Sequence, residues 1–347
     1  MASDNNRYDR GSTPVGQQGY PPVQDGPTGP NSLQKRGASL VKRYRKDGNI
    51  GDLYEAIHLL RQALHLRPEG HQDRHESLYS LAHALVDKYR KEADVADLLE
   101  AIKLLRQALL LRPAGHPERH NVLKGLATSM VDKYRKQGDI GDLYEAVDLN
   151  RQALELRPAG HPDRDDALYS LAIALANKCR KESDIKDLYE VINLHRQALH
   201  LRPVGHPDRH HSLYELAASL VHKYDQEKKT RDLHDAIDLY RQALVLRPAG
   251  HRDRHKSLAR LAASLKRKYR KEGDVEDMYE AIELYQQALK LLSAGDPRRR
   301  EIQEPLDRLI KERSRTSMYV RRTFSKSSIR SYHETCTNVT PKGVLFK

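Results

Sequence analysis

Between residues 73 and 112 the apolar positions fall into two sets. Leu78, Leu81, Ala82 and Leu85 make one, and Leu98, Ala101, Ile102, Leu105, Ala108 and Leu109 the other. Steps of three and four place each set on one helix face, so the pattern predicts two amphipathic helices of about 18 residues and ~27 Å each. The polar link "RKEAD" between them is short, as an antiparallel helix pair requires. Asp73 stands where it can cap the first helix. Asp94, with Asp97 three residues on, stands where it can cap the second and favour its positive end. Pro113 and Gly115 close the unit, because proline cannot continue a helix and glycine accepts the left-handed backbone common just past a helix end.

The same pattern returns at a fixed interval. Gln-Ala-Leu triplets begin at Gln62, Gln107, Gln152, Gln197, Gln242 and Gln287, always 45 residues apart. Helix pairs this thin cannot bury both faces alone and must stack on their neighbours. The chain therefore reads as an all-α right-handed solenoid of six helix pairs, followed by a charged capping helix over 297–315. Residues 1–31, rich in Gly, Pro, Gln and Asp, are expected to be disordered. The array runs over 32–315, and residues 316–347 form a basic tail without periodicity, also expected to be disordered.

Ala56, Ala63 and Pro68 in the second helix, with Leu81, Ala82 and Leu85 in the first, occupy the key offsets of the tetratricopeptide (TPR) repeat. The unit resembles that family with about eleven residues added to its usual ~34. Its long "GHPD" joint is similar to that of kinesin light chain repeats, and the array is similar to fungal TPR proteins, some of which end in a caspase-like CHAT domain. No CHAT domain follows here, so the resemblance implies no protease activity. It implies a non-catalytic scaffold that holds a protein or peptide on the inner face of the first helices. Where related arrays place Asn on that face, this chain has Tyr79 and Ser80, then Tyr169 and Ser170. Family geometry puts Tyr79, His83, Asp87, Lys124, Thr128, Asp132, Tyr169, Asn177, Tyr214, His222 and Arg267 there as partner-binding candidates. These positions differ between repeats more than the packing positions do.

The composition changes this picture little, and the charge changes it at the ends. Apolar residues make up 38% and charged residues 31%, which suits thin layers with much surface. The net charge of +13 is uneven: residues 1–50 hold +4 and residues 298–347 hold +8. A neutral body with basic ends keeps one alternative open, nucleic-acid or anionic-surface binding through those ends. Cys179 and Cys336 lie far apart, with no metal-ligand spacing around them. The N-terminus lacks a signal-peptide core and no apolar run is long enough to cross a bilayer, so a cytoplasmic or nuclear protein without membrane contact is expected.

The repeated polar motifs carry residue types that can do chemistry. The pairs His71 with His75, His116 with His120, His206 with His210 and His251 with His255 have the i, i+4 spacing of a zinc site. The third repeat interrupts the series with Asp165, and the first histidine of each pair precedes the helix, so joint histidines without metal are expected. The recurring "KYRK" run sits where basic residues complement a helix dipole, and Tyr89, Tyr134, Tyr54 and Tyr144 are expected to pack across the link. No catalytic constellation and no glycine-rich phosphate loop can be assembled, so neither catalysis nor a cofactor is expected.

Overall fold

The computed structural model describes residue 26 and residues 28–315. The expected N-terminal disorder and the basic tail beyond residue 315 therefore lie outside the described residues, apart from the last few before α1. Helices α1 (Pro30–Asp47), α2 (Ile50–His65), α3 (Arg74–Glu92), α4 (Val95–Leu110) and α5 (Arg119–Gln137) make one compact unit. A second unit contains α6 (Ile140–Glu155), α7 (Arg164–Glu182), α8 (Ile185–His200), α9 (Arg209–Glu227), α10 (Thr230–Val245), α11 (Arg254–Glu272) and α12 (Val275–Lys290). Residues 298–315 are helical as well and are labelled α13. The described residues thus hold six helix pairs and a further helix, with no strand among them. None of these helices is long and apolar enough to cross a membrane.

Each second helix buries its predicted stripe. Leu98, Ala101, Leu105 and Ala108 are fully buried, as are Leu53, Ala56, Leu60 and Ala63 one repeat earlier. The small Ala positions let neighbouring helices approach, and each buried Leu contributes about 1.5–3 kcal/mol. Asn49, Asp94, Asp139, Asp184 and Asp274 cap the second helices through their side chains, as expected for Asp94.

The first helices are capped differently. Asp73 makes no side-chain cap; instead its own N–H donates to His71 Nδ1 at 3.1 Å. The arrangement repeats at His116, His161, His206 and His251, each accepting from the backbone two residues on. In the worn sixth repeat Asp296 replaces the histidine and accepts from Arg298 N at 2.9 Å. An aspartate and an imidazole nitrogen share only the ability to accept a hydrogen bond at that reach. That shared property explains why the position tolerates both.

Two arginines lock each of the first five joints, and only the second of them is kept at the sixth. The second of them, at 74, 119, 164, 209, 254 and 299, donates back to carbonyls at the end of the preceding second helix, where four acceptors have no helical partner. The first, at 67, 112, 157, 202 and 247, is buried at 1–2% exposure. Arg67 links α1 to α3 by donating to Gln34 Oε1 and to Ser77 Oγ, the latter at 2.8 Å. Arg202 links α7 to α9 through Asp165 at 2.6 Å and Ser212 at 2.9 Å. In the sixth repeat Leu292 and Ile302 stand where Arg247 and Ser257 pair one repeat before, and both join the apolar core. A buried polar pair has been exchanged for a buried apolar one at the same place.

Candidate functional site

The first helices of unit 1 enclose a groove of about 330 Å³, lined by Arg45, Tyr79, His83, Asp87, Lys124 and Thr128, with Arg90 and Asn121 at its edge. Five of the six partner-binding candidates of this unit meet there. The sixth, Asp132, is buried, does not line the groove, and binds Arg90 at 3.0 Å and Arg135 at 3.2 Å. Asp87 is likewise paired, with Arg45 at 2.7 Å. The Thr128 hydroxyl donates to the Lys124 carbonyl of its own helix.

His83 is the unusual member. Its ring packs edge-on against Tyr79 with centroids 4.3 Å apart. Nε2 is buried without a hydrogen-bond partner and faces the place where Gly125 lacks a Cβ. Burial, then the charges of Arg45, Arg90 and Lys124, push its pKa down to about 4. The imidazole is therefore neutral at physiological pH, with an unused polar atom beside a groove rimmed by cations. Such a site can orient an anionic or hydrogen-bonding side chain from another molecule.

The candidates in unit 2 are more dispersed. Tyr169 lies over the buried Arg202, with 4.9 Å from ring centroid to guanidinium, and packs edge-on against His195 at 5.9 Å. Tyr214 repeats the arrangement with Arg247 at 4.8 Å and meets Tyr240 edge-on at 5.5 Å. Tyr79 does the same with Arg112 at 5.2 Å. These face tyrosines therefore also pack on the joint arginines, a cation–π contact hidden from sequence spacing. Tyr214 alone of the unit 2 candidates lines a second cavity of about 340 Å³, with Arg260, Lys256, Tyr285 and Ile302. Asn177 is tied to its own helix through Ile173 O at 2.7 Å, and Arg267 pairs with Asp225 at 3.2 Å. His222 is half-buried beside Arg180, and burial followed by that charge lowers its pKa.

The other repeated motifs resolve into contacts between hairpins. His75 meets His116 edge-on at 5.2 Å and His210 meets His251 at 5.1 Å, so the rings pair from joint to joint and not at i, i+4. The Nδ1 atoms of His75 and His210 face the carbonyls of Gln72 and Pro207 at 2.8 Å. Lysines of the "KYRK" runs bridge to the next helix, as in Lys88 with Asp97 and Lys268 with Asp277. Tyr54 and Tyr144 were expected to pack across their own links. They lie instead under Lys88 and Lys178 of the following hairpins and donate to Glu92 and Glu182 there.

Sequence reasoning passed over Arg45 and Arg90 as dipole partners, though both line the groove. The signal was present: each precedes an aspartate of the next first helix by 42 residues.

No protein-family profile matches the chain, and no curated protein is similar enough in sequence to count as a relative. Among solved structures, the assembly chaperone of RpL4 (Acl4), residues 1–338, is 16% identical, with TM-score 0.54 over 83% of this chain and 99% of that one. A kinesin light chain-like protein of Podosopora anserina with nearly identical TPR-like repeats is 24% identical, with TM-score 0.45 over 63% of this chain and 99% of that one. BtubC (BKLC) from P. vanneervenii is 16% identical, with TM-score 0.43 over 75% of this chain and 91% of that one. The fold is a TPR-like helical repeat. In this TPR-like array the recurring joint motif is the fastening between hairpins, and the variable first-helix face carries the groove.

Proposed function

We propose that the first-helix face binds a segment of another protein and that the chain serves as a scaffold. One observation carries the reading: five side chains marked by their variation between repeats line a single groove, beside an imidazole nitrogen that is buried and unpartnered. An unsatisfied buried polar atom costs about 1–3 kcal/mol, a cost that a partner able to hydrogen-bond it would remove. TPR-like folds generally suit this role because stacked repeats present a continuous concave row of side chains. The remaining candidates, Tyr169, Asn177, Tyr214, His222 and Arg267, belong to the corresponding proposed surface of unit 2. We place the protein in the cytoplasm or nucleus and assign it no catalysis.

Binding through the basic ends is the competing reading, supported by the +8 carried by residues 298–347. The two readings respond oppositely to salt and to truncation. Capture of partners by the full chain and by residues 32–315 should recover the same main protein, with Tyr79→Ala and Lys124→Ala each weakening it by about 1–2 kcal/mol. If residues 32–315 lose the partner and affinity falls steeply with salt, the basic ends are the site, because neutralised phosphates release counterions.

A further inference from the structure

Among the described residues, the three most exposed large apolar side chains all stand where a second helix ends. Leu110 in unit 1 is 83% exposed, and Val204 and Val245 in unit 2 are 87% and 79% exposed. The two valines belong to successive joints: Val245 is the last residue of α10, and Val204 follows Pro203 just beyond α8. Apart from Leu110, the Val245 position holds His65, Glu155, His200 or Lys290 in other repeats, and the Val204 position holds alanine or Glu69. Neither valine is therefore required by the repeat.

The valines extend a row that every repeat keeps. Leu156, Leu201, Leu246 and Leu291 are between 38% and 48% exposed at the ends of α6, α8, α10 and α12. Each has an exposed glutamine four residues before it, on the same side of the helix. The worn sixth repeat has lost the first arginine, the proline and the histidine of its joint, yet it retains Gln287 and Leu291. The joint lock therefore does not account for the row. Opposite charges bracket it, since the exposed Glu155 ends α6 and the exposed Lys290 ends α12.

We propose that this edge of unit 2 is an interface between two copies of the chain, related by a two-fold axis between α8 and α10. That axis exchanges α8 with α10 and α6 with α12. It brings Leu201 and Val204 of one copy against Val245 and Leu246 of the other, and it sets Glu155 against Lys290 twice. An isologous contact needs a surface complementary to itself, and here the centre is apolar while each flank meets its opposite charge. Glutamine amides, donor and acceptor at once, can face their own kind across the axis. The edge would bury roughly 500 Å² per copy, about 1,000 Å² in total, so the dimer should be weak, with a Kd of about 10–100 μM. The contact uses second helices and joints, so it does not depend on the function proposed for the first-helix face.

Sedimentation velocity on the full chain, from about 1 to about 300 μM, tests the axis. The chain should pass from monomer to dimer over that range. Val204→Glu with Val245→Glu should weaken the dimer about tenfold or more, whereas Leu110→Glu, at the Val245 position in unit 1, should leave it within about twofold. Glu155→Lys alone, or Lys290→Glu alone, should weaken it about threefold or more, and the two together should restore it. Restoration is a result that a merely adhesive surface would not give, and these exposed sites keep the test independent of how the valine variants fold. A chain that stays monomeric at about 300 μM overturns the proposal and leaves the edge to a different protein. A dimer that resists the valine changes, or that the double swap does not restore, places the contact elsewhere and overturns it as well. If such a dimer also dissolves at high salt, the basic ends carry it.

Discussion

The joints and the first-helix face are both rich in polar side chains, yet they behave in opposite ways from repeat to repeat. The joints repeat their residues and hide them. Arg67, Arg112, Arg157, Arg202 and Arg247 are buried, and His71, His116, His161, His206 and His251 each accept a backbone N–H. The face changes its residues and shows several of them partly to solvent, as at Asp87, His222 and Arg267. A polar group that recurs because the fold uses it leaves little over for a partner. Variation is the more informative sign, but only after internal pairing is subtracted, since Asp87, Asp132 and Arg267 answer arginine or aspartate on a neighbouring helix.

The largest expected effect is at a joint. Arg202→Ala strands Asp165 in a buried position and leaves Ser212 without its donor, which should cost about 3–5 kcal/mol in chemical denaturation. Asp87→Ala removes only a partly exposed pair and should cost about 1 kcal/mol or less. Equal losses at the two sites would erase the distinction between joint and face. The sixth repeat supplies the control. Arg247→Leu with Ser257→Ile copies Leu292 and Ile302, and should be more stable than Arg247→Leu alone, where Ser257 keeps a buried hydroxyl without its partner.

Acid should act next most strongly, and on the buried imidazoles. Burial pushes His195 down to about 3, with Arg202 adding to it, and His83 and His211 down to about 4. Their folded pKa values lie below the unfolded one near 6.5, so the unfolded chain binds more protons. Stability is then complete above about pH 6.5 and is lost as pH falls toward 4, by roughly 1.4 kcal/mol per unit for each fully buried ring. His195 has no partner at either ring nitrogen and occupies the register of Leu60 and Leu105. His195→Leu should therefore flatten the acid limb of a melting-temperature profile without destabilising the protein at pH 7. A profile as steep as before would place the titrating group elsewhere.

Much of this was legible in the chain. The 45-residue period, the helix pairs, the asparagine and aspartate caps of the second helices and the buried Leu and Ala stripe all follow from local spacing. The groove candidates of unit 1 followed from the TPR-like resemblance and from variation between repeats. What escaped were contacts between residues far apart in sequence. The pairs Arg45 with Asp87, Tyr79 over Arg112 and His75 against His116 join groups about 33 to 42 residues apart, and no periodicity within one helix reveals them. The burial of the joint arginines escaped too, because a charged residue beside proline reads as exposed loop. Lining up the repeats and asking which positions change together would have recovered the ion pairs.

The smallest expected effect concerns the links, which resemble the joints in geometry and the face in variability. Every joint from the first to the fifth has glycine with φ near +90°, at Gly70, Gly115, Gly160, Gly205 and Gly250. The links need a left-handed residue as well, but fill the place with Gly48, Gly138 and Gly273 or with Ala93, Ser183 and Lys228. At Ala93 φ is +60°, and its N–H closes the helix on Tyr89 O at 2.7 Å. A Cβ in this region costs about 1–2 kcal/mol, against which glycine loses more entropy on folding, about 0.5–1 kcal/mol. Ala93→Gly should therefore stabilise the protein by roughly 0.5 kcal/mol, while Gly115→Ala, at φ +90°, should destabilise it by more than that. Opposite signs for these two reciprocal substitutions, in one denaturation series, would show that both places favour glycine, and a larger effect at Gly115 would show that the joint is the more tightly specified of the two. Equal destabilisation by both would mean that Ala93 contributes a contact of its own, and that the links are as specified as the joints.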